Sequence, residues 1–209
     1  MTTRSDGPET WQKVGAGAAG QAPDLAAIGR QGDLPRAWLR APIVLLIGWW
    51  TCSLAAAEQP TCFLDGIDLA FHEAGHIFLA PFGETIHVLG GTLGQLAVPA
   101  LLVGYFLKRG QPFSAAFALF WLGQNFVNIS VYMGDARAMA LPLVGGGEHD
   151  WTNLFYTFGL LSEESVATVS RLTHHLGLVV MIAGFGWSAF YLLPAAVRAS
   201  VCDSIYPRS

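Results

Sequence analysis

Charge is what this sequence has least of. Only 12% of its 209 residues are Asp, Glu, Lys or Arg, against about a quarter in soluble domains. The net charge is −4 and there is no basic stripe, so nothing supports a nucleic-acid partner. Cysteine is scarce as well. Cys52, Cys62 and Cys202 show no paired spacing, which fits neither a disulfide framework nor a thiolate zinc site. There are six histidines, with one tight cluster and the pair His174-His175. That is too few for a membrane iron oxidase or desaturase, which needs several clusters.

Apolar residues are abundant and come in runs. They make up 53% of the chain, and the mean hydropathy is +0.44. Ala41 to Ala57, Val88 to Leu107, Gln111 to Gly134 and Leu176 to Val197 are 17, 20, 24 and 22 residues long and carry no charge. A helix needs about 20 such residues to cross a bilayer. So short a chain could not cover four such runs with polar surface. A fifth run, Cys62 to Phe82, is mostly apolar but holds Asp65, Asp68, His72, Glu73 and His76. The expectation is an all-α, polytopic membrane helix bundle of about five spans, with the lipid bilayer as a partner. The Ala- and Gly-rich composition suits a bacterial inner membrane.

Residues 1–37 are rich in Gly, Ala, Pro and polar residues without an apolar period and read as a disordered tail. Residues 38–198 read as the membrane-embedded domain, and 199–209 as a short C-terminal tail. Ala55-Ala56-Ala57 ends the first run as a signal peptide would end, but some 40 residues precede that run, which favours an uncleaved span. Arg30, Arg36 and Arg40 favour a cytoplasmic N-terminus. Pro81 and Gly83 stop the second run. The segment Gly90-Gly91-Thr92-Leu93-Gly94-Gln95 would permit close helix packing, a broken helix or a re-entrant loop. Ser162-Glu163-Glu164 reads as a helix start. Gly145-Gly146-Gly147-Glu148-His149-Asp150-Trp151 reads as a flexible polar loop.

His72-Glu73-Ala74-Gly75-His76 fits His-Glu-x-x-His. Residues four apart lie one turn above each other on a helix face, so two imidazoles can reach one zinc ion at about 2.0–2.1 Å. Zinc lowers the pKa of a bound water towards ~7, and the neighbouring Glu73 is placed to take its proton. Ionisable residues in membrane helices each cost a few kcal/mol. Asp65, Asp68, His72 and His76 follow spacings of three, four and four, so they share one face, and a metal there would offset the cost. A catalytic zinc keeps three protein ligands and one open position. Asp135 is the first choice for the third ligand, then His149, then His174 or His175. His149, Asp150, Asp68 and Asn128 are further candidates as ligands or as groups that hold the ligands. Asp68, one turn before His72, would hold an imidazole by its other nitrogen or bond to a neighbouring span.

Phe71-His72-Glu73-Ala74-Gly75-His76 resembles the motif of the site-2-protease family of intramembrane zinc metallopeptidases. The glycine-bearing segment from Gly90 to Gly94 is similar to one that follows the motif in that family. Asn128 and Asp135 match the asparagine and aspartate of its Asn-x-x-Pro…Asp-Gly motif, without the proline and with Gly134 before the aspartate. The resemblance covers residues 62 to 137. It implies a zinc-dependent endopeptidase that cleaves a membrane-associated protein substrate, with His72, His76 and Asp135 as zinc ligands and Glu73 as general base. Gly90 to Gln95 would then present the substrate as an extended strand. The competing expectation is a non-catalytic metal-binding scaffold, chaperone or ion pathway, whose hallmark would be a closed zinc site such as His72, His76, Asp135 and His149 together.

Overall fold

The computed structural model describes residues 37–57, 60–142 and 148–205. The expected tail up to residue 36 and the glycines 145–147 lie outside them. The described residues form helices and no strand, as the all-α reading expects. In chain order the helices are α1 (Ala37–Ala56), α2 (Asp65–Leu79), α3 (Glu84–Lys108), α4 (Pro112–Gly134), α5 (Asp150–Thr157), α6 (Glu163–Phe190) and α7 (Ala195–Ile205). Residues 199–205, read as part of a tail, belong to α7.

Among the described residues, three helices are long and apolar enough to cross a membrane: α1 from Leu39, α3 and α6. The run from Cys62 to Phe82 gives a helix of only 15 residues, about 22 Å at 1.5 Å per residue. It is shorter than the run because Asp65 folds back at its start. The Asp65 carboxylate accepts the Cys62 N–H at 2.6 Å. At the other end, Pro81 sits in a single 3₁₀ turn, and Gly83 turns the chain at φ +99°. The helix α4 is long enough, at 23 residues, but Gln124, Asn125, Asn128 and Ser130 dilute its apolar character.

The glycine segment resolves as close packing. Gly90, Gly91 and Gly94 lie within the unbroken helix α3; Gly90 and Gly94 face Gly75 of α2, and Gly91 faces the His72 and His76 rings. A Cβ on Gly75 would overlap the Gly90 carbonyl oxygen and come within 3.0 Å of Gly94 Cα. These are backbone atoms, which cannot move aside. No extended strand forms here, so the expected strand for substrate is absent from this segment. Close approach through small residues is how helices associate where burial against water gives no driving force.

The polar side of α4 meets the acids of α2. Trp121 Nε1 and Asn125 Nδ2 donate to Asp68 Oδ1 at 2.7 and 3.0 Å. Gln124 Nε2 donates to Asp65 Oδ1 at 2.7 Å. On its other side α4 packs along α6 through Gly123, Gly177 and Gly184, where an added Cβ would meet backbone of the facing helix within 3 Å. Ile47, Phe120, Val127 and Met181 close a buried core between α1, α4 and α6. Phe63, Ile77 and Phe78 point outward with more than 70% of their surface exposed, as lipid-facing side chains would. Gly75→Ala is expected to destabilise the protein by at least about 2–3 kcal/mol through overpacking. The readout is a lower melting temperature for detergent-purified protein, and an unchanged one would remove the α2–α3 contact from this account.

Candidate metal centre

Helix α2 presents His72 and His76 one turn apart towards α3. On α3, His87, Gly91 and Gln95 recur every four residues and so form one face. Each of these histidines is fixed by its Nδ1. His72 Nδ1–H donates to Gln95 Oε1 at 2.8 Å, and Gln95 Nε2 donates on to Asn128 Oδ1 at 3.4 Å. His76 Nδ1–H donates to the His87 carbonyl at 2.8 Å. In return His87 Nδ1–H donates to the His76 carbonyl at 2.9 Å. With both Nδ1 atoms protonated, the neutral imidazoles carry their lone pairs on Nε2.

Both lone pairs aim at one carboxylate oxygen. Asp150 Oδ2 lies 2.8 Å from His72 Nε2 and 3.1 Å from His76 Nε2. His72, His76 and Asp150 each offer one donor atom, all within 4.8 Å of one another. Three electron-pair donors aimed at one point repel unless a metal ion lies between them or a proton on Nε2 turns the contact into a hydrogen bond. Hydrogen-bonded outer partners of this kind set the tautomer and orientation of metal-ligating histidines. Two imidazoles and a carboxylate suit zinc and neighbouring transition metals more than magnesium or calcium. Gly91 is part of the fit, since a Cβ there would overlap both His72 Nε2 and His76 Nε2.

Asp150 reaches the histidines because α5, which it opens, packs against α3 and α4. His149 caps α5, its Nδ1 accepting the Thr152 N–H at 3.2 Å. Asp150 N–H donates to the Tyr132 hydroxyl at 3.1 Å, and Thr152 Oγ1 donates to the Ala136 carbonyl. Burial holds the His149 imidazole below the usual histidine range, although Asp135 and Asp150 pull the other way.

Asp135, the first choice for third ligand, is not among the gathered residues. It ends α4, and its two oxygens accept the N–H groups of Ala140 and Leu141 at 2.9 and 3.0 Å. Its Oδ2 lies 3.5 Å from His149 Nε2. These two residues therefore face each other, beside the residue that meets the histidines. Asp68 takes the alternative role and bonds to α4. Asn128 stands behind Gln95. His174 Nδ1 lies 3.3 Å from Ser130 Oγ, between α4 and α6, with the His175 ring beside it. Gln95, His87 and Tyr132 are the site residues that the sequence reading did not single out. The four-residue spacing of 87, 91 and 95 was the available signal.

The centre opens into a cavity of about 800 Å³. Glu73 lines it, half-buried, along with His72, His76, Asp150, His87, Gln95, Asn128 and Tyr132. No Lys or Arg is among the described residues of its wall. Compared with protein families, with curated proteins and with solved structures, the chain matches none of them.

Two outcomes follow for metal content, measured by elemental analysis of purified protein after zinc supply. Asp150→Ala should lose the bound metal, whereas Asp135→Asn should retain one equivalent; the reverse pattern would restore Asp135 as ligand. Gln95→Leu frees the His72 tautomer and should weaken metal binding about 10–100-fold, read by competition with a chelator.

Proposed function

We propose that this chain is an intramembrane zinc-dependent endopeptidase that hydrolyses a peptide bond of a membrane-associated protein. It would be a small, divergent relative of the site-2-protease-like metallopeptidases, placed in a bacterial inner membrane. The observation that carries the reading is an open three-donor centre, His72, His76 and Asp150, sharing one cavity with the glutamate of His-Glu-x-x-His. Three protein donors leave a position free, as catalytic sites require and structural sites do not. The closed set expected of a scaffold is not gathered, because Asp135 and His149 face each other.

In this reading α2 and α4 count as the second and fourth of five spans. The α2–α3 turn and the segment from 135 to 162 then lie on the same side of the membrane. That agrees with Asp150 meeting His76, in the last turn of α2.

His72, His76 and Asp150 would hold zinc, which when bound acidifies water and polarises a carbonyl. The chain's own part begins with Glu73. It takes a proton from the attacking water and returns it to the leaving amine. Gln95 and the His87 carbonyl keep both imidazoles in the ligating tautomer throughout. The cavity wall of Leu69, Val88 and Val131 would accept an unwound apolar stretch of substrate. Glu73→Gln should keep one equivalent of zinc and lower turnover about 10²–10⁴-fold, the range for a lost general base. The assay is new N-termini, counted by mass spectrometry, when the reconstituted protein meets an extract of membrane proteins. Equal cleavage by the variant and the native protein would remove Glu73 from the mechanism.

A further inference from the structure

We infer that Tyr132 is a catalytic residue of the proposed peptidase, its phenolic O–H donating a hydrogen bond to the substrate carbonyl oxygen as that oxygen gains negative charge. The inference rests on the peptidase reading and adds the group that meets the developing charge. Tyr132 stands near the end of α4 and lines the same cavity as Glu73 and the two histidines. Its ring is held on two sides. It meets His72 edge-on at 5.9 Å between centroids, and it lies 4.2 Å from the His149 ring.

The hydroxyl is held as well. A phenol has one proton to give and lone pairs to accept with. The Asp150 N–H occupies an acceptor position at 3.1 Å, so the oxygen sits one residue from the carboxylate that meets both histidines. Its own proton meets no acceptor among the described residues. The other wall residues are differently placed. Asn128 accepts from Gln95 through Oδ1 and turns its amide N–H to the Asp65 carboxylate. His87 spends its Nδ1–H on the His76 carbonyl and has only a lone pair left. Asn153 points its amide to Glu148 at 3.5 Å, and Thr61 is exposed on the segment before α2. Tyr132 is the wall residue that combines a fixed position with a free donor. Donors fixed in advance towards the site of developing charge are usually the largest single contribution to such a reaction.

The step balances without any further reactant. The water oxygen bonds to the carbonyl carbon while its proton passes to Glu73. The π pair of the carbonyl moves onto its oxygen, where the Tyr132 O–H meets it. The carbon–nitrogen bond then breaks, the nitrogen takes the proton from Glu73, and the carbonyl re-forms. Tyr132 keeps its proton throughout.

The test uses full-length, zinc-supplied protein in lipid nanodiscs and an N-phosphoryl dipeptide, whose tetrahedral anion imitates the charged intermediate. Zinc content and dipeptide affinity are measured for the native chain and for Tyr132→Phe. The expected result is one equivalent of zinc in both, with affinity about 10–100-fold weaker in the variant, as for a lost hydrogen bond to a charged group. Equal affinity would overturn the role of Tyr132 and leave the peptidase reading standing. Loss of zinc in Tyr132→Phe would also overturn it, because the hydroxyl would then act only by holding Asp150. A native protein that holds zinc and binds no phosphoryl dipeptide would remove the peptidase reading, and this inference with it.

Discussion

Where α2 crosses α3, backbone meets backbone at Gly75, Gly90 and Gly94, with no side chain between them. The geometry of the metal centre follows from that distance. His72 and His76 each reach a partner on α3 at 2.8 Å, a length that tolerates only a few tenths of an ångström. An alanine at the crossing would push the helices apart by more than that. Both imidazoles would then be free to turn, and the two lone pairs would no longer converge. Gly91 imposes the same condition inside the centre, since its missing side chain is the space the imidazole nitrogens occupy.

A second constraint acts nearer the start of α2. Asp65 and Asp68 would be costly inside a bundle of apolar helices. Their cost is reduced by Trp121, Gln124 and Asn125, which donate to them from a single face of α4. The acids thus serve the site indirectly, by fixing the rotation of α2 so that the histidines one and two turns further on face α3. Asn128, one turn beyond Asn125 on α4, continues the polar row to Gln95 and so to His72.

Much of this was legible in the sequence. The helical class follows from long apolar runs, and the boundaries at Pro81, Gly83 and Ser162 follow from backbone chemistry that acts locally. His72, Glu73 and His76 sit within one turn or so of helix, so their spacing alone places them together. The count of spans was less legible, because polar residues in α2 and α4 face neighbouring helices and lower the hydropathy of both. The third donor was the least legible. Asp135 and Asp150 are both acids beyond the end of α4, and only the path of the intervening chain decides between them. Asp135 is held by two backbone N–H groups and His149 caps α5, while Asp150 meets the histidines; none of this leaves a periodic trace. Histidine also drew attention in the segment 148–150, although the adjacent aspartate is the residue that arrives.

The order of the donors along the chain has a consequence for biogenesis. The direct partners of both imidazole Nδ1 atoms lie in one helical hairpin, residues 65 to 108. The carboxylate comes 74 residues after His76. At about 5–20 residues per second, the two histidines are synthesised several seconds before Asp150. During that interval the newborn chain carries a preset pair of imidazoles without its third donor, and the centre closes only when most of the bundle is already in place. Translation itself thereby acts as a timer on the centre.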